Sequence, residues 1–335
     1  MKSDNSQKPI MGFWAKLPKP FFVSAPMADV TDSAFRQMIA KYSRHNEKGG
    51  GPDVFWTEFV SADGLCSAGR EVLKRDLDFS KNEHPIVAQI FSSNPENMRK
   101  TAQLIKELGF DGIDINMGCP DKSIEKQGAG AAHMKEIKHA QDVIRATMEG
   151  AGGLPVSVKT RVGYNKENLD EWIGAILETK PAVITVHART RKEMSLVPAR
   201  WEHVARAKKL ACGTGTLIIG NGDVKDIADA EEKARVTGAD GIMLGRAMFG
   251  TPWLFDRERA CPPTLVEKFE ILIEHTHLFE KLLGDIKNFA IMKKHYKAYV
   301  HGFDGAKEIR VKMMDAKNAD EVETLTRNFL KNICF

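Results

Sequence analysis

The sequence predicts an α/β protein built on an eight-stranded (β/α)8 TIM barrel, followed by a small all-helical domain. Eight short runs rich in β-branched or apolar residues alternate with helical patterns through the first three-quarters of the chain. This alternation is typical of parallel strands joined by right-handed crossovers, and eight such units in about 250 residues is the usual size of a barrel. We place the strands at Phe21–Ala25, Val54–Thr57, Pro85–Ile90, Gly112–Asn116, Pro155–Thr160, Ala182–His187, Thr216–Gly220 and Gly241–Leu244.

The segments between these runs have the apolar periodicity of helices. Apolar residues recur at three- and four-residue steps in Pro95–Leu108, and Leu169–Leu177, Val204–Leu210 and Val224–Val236 repeat the pattern. A doubly wound open sheet is the main competing fold, but it normally carries a glycine-rich dinucleotide motif after its first strand. Here that strand leads into Ala25-Pro26-Met27, which favours the barrel.

A proline pair marks the end of the barrel. Cys261-Pro262-Pro263 interrupts the alternation, because two prolines cannot continue a helix. From Thr264 onward the sequence is helical in texture and has no strand-like run. We therefore predict a barrel domain over residues 1–255, a linker at about 256–263 and a helical domain over residues 264–335.

Composition and cysteine usage narrow the class of protein. The chain has 335 residues, 42% of them hydrophobic, and a net charge of +4, which permits a polyanionic partner without requiring one. The five cysteines form no C-x-x-C pair, so they argue for a reducing compartment and against a structural metal. They are Cys66, Cys119, Cys212, Cys261 and Cys334. The amino-terminal residues are polar and no window approaches the roughly 18 apolar residues of a membrane span. We expect a soluble cytoplasmic protein with no membrane segment, no metal and no obligate protein partner.

Polar or special residues stand where the predicted strands end. In a barrel the carboxyl ends of all strands face one mouth, and active sites are built there. These residues are Gln89 after strand three, Asn116 after four, Lys159 and Arg161 at the end of five, His187 and Arg189 after six, Asn221 after seven, and Gly245 and Arg246 after eight. Any one of them can be a satisfied surface residue, but their common placement indicates a functional rim.

The residues at this rim fit a phosphate and a flavin ring. Gly220-Asn221-Gly222-Asp223 and Gly245-Arg246 follow the last two strands, where barrels build phosphate sites from backbone N–H groups and a basic side chain. Gln89 both donates and accepts hydrogen bonds, which suits the pyrimidine edge of an isoalloxazine. Lys159 is suited to stabilise negative charge near N1 of a reduced flavin. A lysine paired with a barrel carboxylate is the alternative for Lys159, and spacing leaves both interpretations open.

Cys119 is the candidate proton donor. It lies in Asn116-Met117-Gly118-Cys119-Pro120, in a loop just past the fourth strand, with glycine and proline on either side. A free cysteine is often a small buried hydrophobe, which is how we interpret Cys66 and Cys212. An unperturbed thiol has a pKa of about 8.5 and is mostly protonated at neutral pH. The position at the mouth therefore predicts an acid role for Cys119.

Basic residues continue into the predicted helical domain. Lys122, Lys126, Arg189 and Arg191 are expected to form a basic rim, and Ile286–Phe303 contains no carboxylate. A solvated helix face is the ordinary interpretation of such a stretch. Aromatic residues interleave with the charges there, which is the pattern that stacking and phosphate contacts on RNA require. The residues concerned are Lys287, Lys293, Lys294, His295, Tyr296, Lys297, Tyr299 and His301.

Taken in order, these motifs resemble the tRNA-dihydrouridine synthase family over nearly the whole chain. Ala25–Arg36 looks like its opening motif, and Asp114–Pro120 like its catalytic-cysteine motif. The other matching segments are Lys122–Ala132, Lys159–Arg161, His187–Arg191, Asn221–Asp223, Gly245-Arg246 and His295–Arg310. Several independent motifs in one order make the resemblance specific.

The resemblance implies an enzyme that uses FMN and takes its electrons from NADPH (or NADH). Its mechanism would pass a hydride from the flavin to C6 of a tRNA uridine while Cys119, the catalytic acid, protonates C5. The uridine must leave its stack to be reached, and the basic residues would hold the tRNA by shape and phosphates. The implied FMN contacts are Pro26, Met27, Ala28, Gln89, Lys159, His187, Asn221, Gly222, Asp223, Gly245 and Arg246.

The chain departs from the family pattern in one loop at the mouth. Where the family usually has glycine, an aromatic residue and glycine, this sequence has Ala188, Ser195 and Val197, with Trp201 retained. Arg44–Asp53 also looks longer than usual and is expected to be a flexible insertion.

Two other functions compete with tRNA reduction. A dihydroorotate or dihydropyrimidine dehydrogenase also places a cysteine beside a pyrimidine in an FMN barrel, but a free pyrimidine needs no basic helical domain. A non-catalytic RNA-binding protein on a degenerate barrel is the second alternative, and the intact Cys119 and phosphate motifs argue against it.

Overall fold

The structure, a computed structural model, describes residues 8–333. Residues 1–7, Cys334 and Phe335 lie outside the described range. Eight strands form one parallel sheet in the order β1-β8-β7-β6-β5-β4-β3-β2. Their bounds are β1 Phe21–Ser24, β2 Phe55–Ser61, β3 Ile86–Phe91, β4 Gly112–Met117, β5 Val156–Arg161, β6 Val183–His187, β7 Leu217–Asn221 and β8 Gly241–Leu244.

The two strands at the ends of this order also meet each other. A parallel bridge joins Val23 to Val54, and the Ser24 amide donates to the Val54 carbonyl at 3.2 Å. The sheet therefore curls on itself, and the predicted β/α barrel is confirmed.

The eight predicted strands are all present within a few residues of their predicted bounds. The largest difference is at β2, which runs on to Ser61, whereas the prediction ended at Thr57. Glu58 interrupts the apolar run in the sequence, yet it lies in the strand and is buried. The pairing of β2 with β3 shifts register between Trp56 and Phe59, and a shift of this kind hides the period-of-two pattern from sequence analysis.

Helices alternate with the strands and then continue alone after β8. The predicted helix between β3 and β4 begins at its cap Asn94, whose side chain accepts from two backbone N–H groups, and buries Met98, Ala102 and Ile105. The helices are α1 Ser33–Tyr42, α2 Ala62–Leu65, α3 Arg70–Lys74, α4 Pro95–Glu107, α5 Lys122–Glu125, α6 Ile137–Ala151, α7 Leu169–Glu178, α8 Glu202–Leu210, α9 Ile227–Thr237, α10 Leu265–Leu283, α11 Met292–Tyr299, α12 Ala306–Asp315 and α13 Ala319–Ile333. None of the helices in the described range is long and apolar enough to cross a membrane.

The described chain divides into two compact units. The first contains all eight strands and comprises residues 8–26, 53–77 and 84–245. The second comprises residues 27–52, 78–83 and 246–333, so it includes α1 as well as the carboxyl-terminal helices. The predicted division into 1–255 and 264–335 stays a prediction.

In the second unit, sequence signals fix the start of the longest helix. The Thr264 side chain accepts from the Glu267 amide and Glu267 reaches back to the Thr264 amide, a reciprocal cap that begins α10. Residues 264–333 form helices and turns, as predicted from their sequence. Residues 44–52 of the predicted insertion belong to this unit, in which the Arg257 amide donates to the Gly49 carbonyl at 2.8 Å.

Two histidines lie in the core of the second unit. His275 and His295 are fully buried, with ring centroids 4.6 Å apart, and Phe35 packs against both rings. Neither ring nitrogen of His295 has a hydrogen-bond partner among residues 8–333. Burial lowers the pKa of His295 to about 3 and lowers that of His275 as well, so both rings are neutral in the folded protein.

This pair makes the stability of the second unit depend on acidity. In the unfolded chain a histidine takes up a proton near pH 6.5, whereas the folded core excludes the charge. The contribution to stability is therefore complete above pH 6.5 and is lost as the pH falls, at up to about 1.4 kcal/mol per pH unit for each histidine.

We expect His295→Phe to lose less unfolding free energy than the wild type between pH 7.5 and pH 5, measured by urea denaturation. His301→Gln, at an exposed histidine, is the control and should keep the wild-type slope. Equal slopes in all three proteins would contradict the interpretation.

Candidate active site

The parallel register places the predicted site residues in rows across neighbouring strands. Side chains two residues apart on a strand share a face, so successive rows on the inner face of the barrel are two residues apart along each strand. The register pairs Gln89 with Asp114 and Asp114 with Ser157, then Asn116 with Lys159 and Lys159 with Thr185, and finally Arg161 with His187 and His187 with Asn221. Residues far apart in sequence are thus side by side at the carboxyl ends of the strands.

Hydrogen bonds to its backbone hold Cys119 in place. The Asn116 side-chain oxygen accepts from the Cys119 amide at 2.9 Å and from the Gly118 amide at 3.2 Å. Cys119 is half-buried and packs against an apolar cluster that includes Phe91 and Ile124. Burial raises the pKa of the Cys119 thiol, against the lowering influence of Lys159 and Arg161. The sulfur is therefore a neutral thiol at neutral pH, which is the form that can deliver a proton.

Arg161 connects this loop to the loop after β6. Its side chain donates to the Gly118 carbonyl at 2.8 Å, to the Thr190 carbonyl at 3.1 Å and to the Met194 carbonyl at 3.0 Å. Burial lowers the pKa of Arg161 to about 10, so the guanidinium remains charged at neutral pH. A buried cation bonded to three carbonyls fixes two loops of the mouth against each other.

Lys159 is a half-buried cation on β5. Burial, with the charge of Arg161 adding to it, lowers the pKa of Lys159 to about 8. Asp114 and Cys119 act on it electrostatically, but within residues 8–333 its ammonium forms neither a hydrogen bond nor an ion pair. The alternative of a lysine salt-bridged to a barrel carboxylate is therefore not observed. In the same row, the buried Thr185 hydroxyl also has no hydrogen-bond partner in the described part of the chain.

Gln89 lies at the centre of a hydrogen-bonded chain. Its amide nitrogen donates to Asp114 at 2.6 Å, and its amide oxygen accepts from the Asn116 side chain at 3.2 Å. The amide has a second N–H and a second lone pair, and the side chain is fully buried. Burial raises the pKa of Asp114 to about 6, against the hydrogen bonds of Gln89 and Ser157, so its carboxyl group is mostly ionised at neutral pH.

The side chains of the predicted phosphate turn after β7 anchor it to backbone groups of β8 and of the loop after β6. The Asn221 side chain donates to the Met243 carbonyl at 2.9 Å. Gly222 has φ +123°, and a Cβ there would lie 2.9 Å from the Ala199 Cβ, so only glycine fits. Asp223 accepts from the Ala199 amide at 2.9 Å. Gly245 follows β8 and is half-buried.

Arg189 is not part of an exposed basic rim, contrary to the prediction. It is 2% exposed, pairs with Asp223 and donates to the Val197 carbonyl at 2.6 Å and to His187 at 3.1 Å. Arg191 is also occupied, because it forms a bidentate pair with Glu125. Lys122 and Lys126 are exposed, as the prediction requires.

The remaining predicted cofactor contacts follow β1 and β8. Pro26 belongs to the first unit, whereas Met27, Ala28 and Arg246 belong to the second. The Met27 amide donates to the Thr31 hydroxyl at 2.9 Å, which shapes the loop after β1. Arg246 is exposed and begins a 3₁₀ turn. Their roles, like those of the other predicted contacts, stay predictions.

The aromatic part of the predicted RNA surface is wrong. His295 and Tyr296 are fully buried and Tyr299 is 4% exposed, so none of the three can stack on a base. The helical period places them on the inner face of α11, whereas Lys294 and Lys297 are exposed on its outer face. His301 is exposed as well.

Asp114 and Arg161 have clear structural roles that could not be deduced from the sequence, although Arg161 was already placed at the rim. Asp114 and Arg161 lie in the motifs quoted above, but their partners come from other strands and loops. The signal for both is a charged residue at a strand position that faces the barrel, where an unpaired charge is costly. Within residues 8–333 there is no cluster of three or more His, Cys, Asp or Glu side chains that could hold a metal ion.

Comparison with solved structures shows the fold. The 6-hydroxypseudooxynicotine amine oxidase from Pseudomonas geniculata N1 matches with a TM-score of 0.52 and 13% identity, covering 79% of this chain and 53% of that one. The histamine dehydrogenase from Rhizobium sp. 4-9 matches with a TM-score of 0.51 and 12% identity, covering 77% of this chain and 48% of that one. The chain thus spans about half the length of these structures.

Comparison with known sequences identifies relatives of much higher identity. A "Probable tRNA-dihydrouridine synthase" of Staphylococcus aureus (strain Mu50 / ATCC 700699) is 39% identical over 322 residues, which is 95% of each chain. A "Probable tRNA-dihydrouridine synthase 2" of Bacillus subtilis (strain 168) is also 39% identical, over 95% of this chain and 96% of its own. Residues 23–334 match the family described as Dihydrouridine synthase (Dus). The chain therefore belongs to the dihydrouridine synthase family.

Proposed function

We propose that this protein is a tRNA-dihydrouridine synthase, which reduces the C5=C6 bond of specific tRNA uridines with FMN and NAD(P)H. The observation that carries the proposal is a half-buried thiol, kept protonated by burial, at the same barrel mouth as a half-buried lysine with no ion-pair partner in the described range. The family and the relatives named above support the same activity. Because tRNA and nicotinamide dinucleotides are cytoplasmic solutes, we also propose a cytoplasmic location.

The residues of the mouth fit a flavin. Lys159 is a half-buried cation that an anionic ring would pair with, and the Gln89 amide lies in the neighbouring row with a second N–H and a second lone pair. His187, Asn221 and the turns at Gly222 and Gly245 would complete the binding site. FMN, when bound there, supplies the hydride that NAD(P)H provides and that the uracil ring receives.

Cys119 completes the reduction as the acid. Addition of a hydride at C6 leaves electron density at C5, and a neutral thiol can transfer its proton to that carbon. The thiolate that results lies near Lys159 and Arg161, whose positive charges stabilise it until a proton is regained. Asn116 and Arg161 keep the loop of the thiol in one position during this step.

The uridine must leave the tRNA stack to reach the mouth, and exposed cations hold the RNA while it does so. Lys122 and Lys126 follow the cysteine loop, and Lys294 and Lys297 are exposed on α11 in the second unit. Contacts of this kind bind phosphates and depend on salt.

Replacing the thiol tests this function. With FMN, NADPH and tRNA from cells that lack the enzyme, the wild-type protein should form dihydrouridine, and free uracil or orotate should not be reduced. Cys119→Ala should retain FMN and its reduction by NADPH but lose about 100-fold or more of tRNA turnover, because the acid is gone. Cys66→Ala is the matched control and should match the wild type. Cys66 and Cys212 are both exposed, so the interpretation of these two cysteines as buried hydrophobes was wrong. Full turnover by Cys119→Ala would remove the assigned acid, and turnover on free pyrimidines alone would replace the proposed substrate.

The state of the thiol can be measured without substrate. Because burial raises the pKa of Cys119, its alkylation by iodoacetamide should rise with pH around a midpoint above the roughly 8.5 of a free thiol. The rate at Cys119 is followed by peptide mass spectrometry, which separates it from the other cysteines. A midpoint near neutral pH would mean that the group is a thiolate at rest, and the acid role would have to be abandoned.

The lysines of α11 test the RNA surface. Changing Lys293, Lys294 and Lys297 to Ala should weaken tRNA binding and reduce the slope of log K against log salt by about one for each phosphate that is no longer neutralised. FMN affinity should not change. The control is Lys16, Lys180 and Lys209 changed to Ala, since these exposed lysines precede strands at the opposite end of the barrel. Equal salt slopes for the two triple variants would contradict the surface.

A further inference from the structure

A continuous chain of hydrogen bonds runs from the barrel interior to the loop of Cys119. The Ser157 hydroxyl donates to one Asp114 oxygen at 2.5 Å, and the Gln89 amide nitrogen donates to the other at 2.6 Å. The Asn116 amide nitrogen donates to the Gln89 oxygen at 3.2 Å. The Asn116 oxygen then accepts from the Cys119 amide at 2.9 Å. Asp114, Gln89 and Asn116 are all buried, so water does not compete for these bonds.

The chain has only one consistent polarity. The amides of Gly118 and Cys119 are donors, so the Asn116 side chain must present its oxygen to them. Its nitrogen then faces Gln89, which must present oxygen in turn. The Gln89 nitrogen therefore faces position 114, where an acceptor is required. The carboxylate of Asp114 supplies that acceptor.

We infer that Asp114 is a positioning residue for Cys119, acting through the orientation of the Gln89 and Asn116 amides. The strand register supports this, because it pairs Asp114 directly with Gln89 and with Ser157, and places Asn116 two residues further on the same face of β4. A carboxylate buried in a barrel costs free energy, which the hydrogen bonds from Gln89 and Ser157 offset. The Asp114 carboxylate thereby fixes which end of the Gln89 amide faces Asn116.

Without that acceptor, the side-chain amides of Gln89 and Asn116 can rotate by about 180°, which exchanges their nitrogen and oxygen positions. A rotated Asn116 would present its nitrogen to the Gly118 and Cys119 amides, so donors would face donors and the loop would detach. The sulfur would then move relative to the reacting carbon, and a displacement of about 1 Å can reduce a rate by about 100-fold. This inference rests on the proposed role of Cys119 for its catalytic consequence, but the position of the sulfur can be tested separately.

The experiment compares four variants of the full-length flavoprotein. Asp114→Leu keeps the branched shape and removes the acceptor. Asp114→Asn keeps an acceptor oxygen for Gln89 and removes the charge. Ser157→Ala removes the other hydrogen bond of the same carboxylate and leaves the chain to Cys119 intact, so it is the matched control. Gln89→Met removes the central amide of the hydrogen-bond chain and keeps a side chain of nearly equal length. It tests the same inference if Asp114→Leu does not fold.

Two quantities are measured for each protein. The first is the rate of Cys119 alkylation by iodoacetamide, located by peptide mass spectrometry. The second is kcat on tRNA. We expect Asp114→Leu and Gln89→Met to speed alkylation at least about tenfold and to lower kcat about 100-fold, whereas Asp114→Asn and Ser157→Ala stay within about threefold of the wild type.

The outcomes separate this inference from the proposed function. Unchanged alkylation in Asp114→Leu and Gln89→Met would overturn the positioning role, whatever the activity. Equal effects in Asp114→Asn and Asp114→Leu would also overturn it, since the acceptor and not the charge is what orients Gln89. If alkylation follows the expected order but the wild-type protein reduces no tRNA uridine, the positioning role stands and the proposed function fails.

Discussion

The parallel register of the barrel is the constraint on which the site depends. It fixes which side chains of neighbouring strands lie side by side, and it brings Gln89, Asp114 and Ser157 into one row and Asn116, Lys159 and Thr185 into the next. A one-residue slip in any strand would turn its polar residues out of the barrel and its apolar residues in. The buried carboxylate of Asp114 therefore depends on this register, because Gln89 and Ser157 on the two adjacent strands donate to it.

Burial sets the chemistry of the groups at the mouth. The same loss of solvation raises the pKa of the Cys119 thiol and lowers the pKa of Lys159 to about 8. The thiol is thereby a proton donor at rest, and the ammonium is a cation that gains from any anion placed beside it. The two effects have one cause, so a change that opened the mouth to water would weaken both the acid and the cation site.

The barrel could be predicted from the sequence because the alternation of strands and helices depends on local patterns. The residues at the carboxyl ends of the strands could be predicted as well, since each follows the end of an apolar run. The burial of residues on the helices of the second unit could not be predicted in this way. His295 and Tyr296 look like an RNA-binding pattern, but only the packing of α11 shows that they face inward. The partner of Arg189 was equally hidden, because Asp223 is 34 residues away in sequence.

The loop after β6 shows why departures from the family pattern need not disturb the site. Arg161 donates to the Thr190 and Met194 carbonyls, and Arg189 donates to the Val197 carbonyl. These bonds use only backbone acceptors, so the side chains at positions such as 195 and 197 can differ from the family without removing an anchor. The anchoring of the loop therefore requires the two buried arginines and not particular side chains within the loop. Those side chains can instead contact a ligand at the mouth.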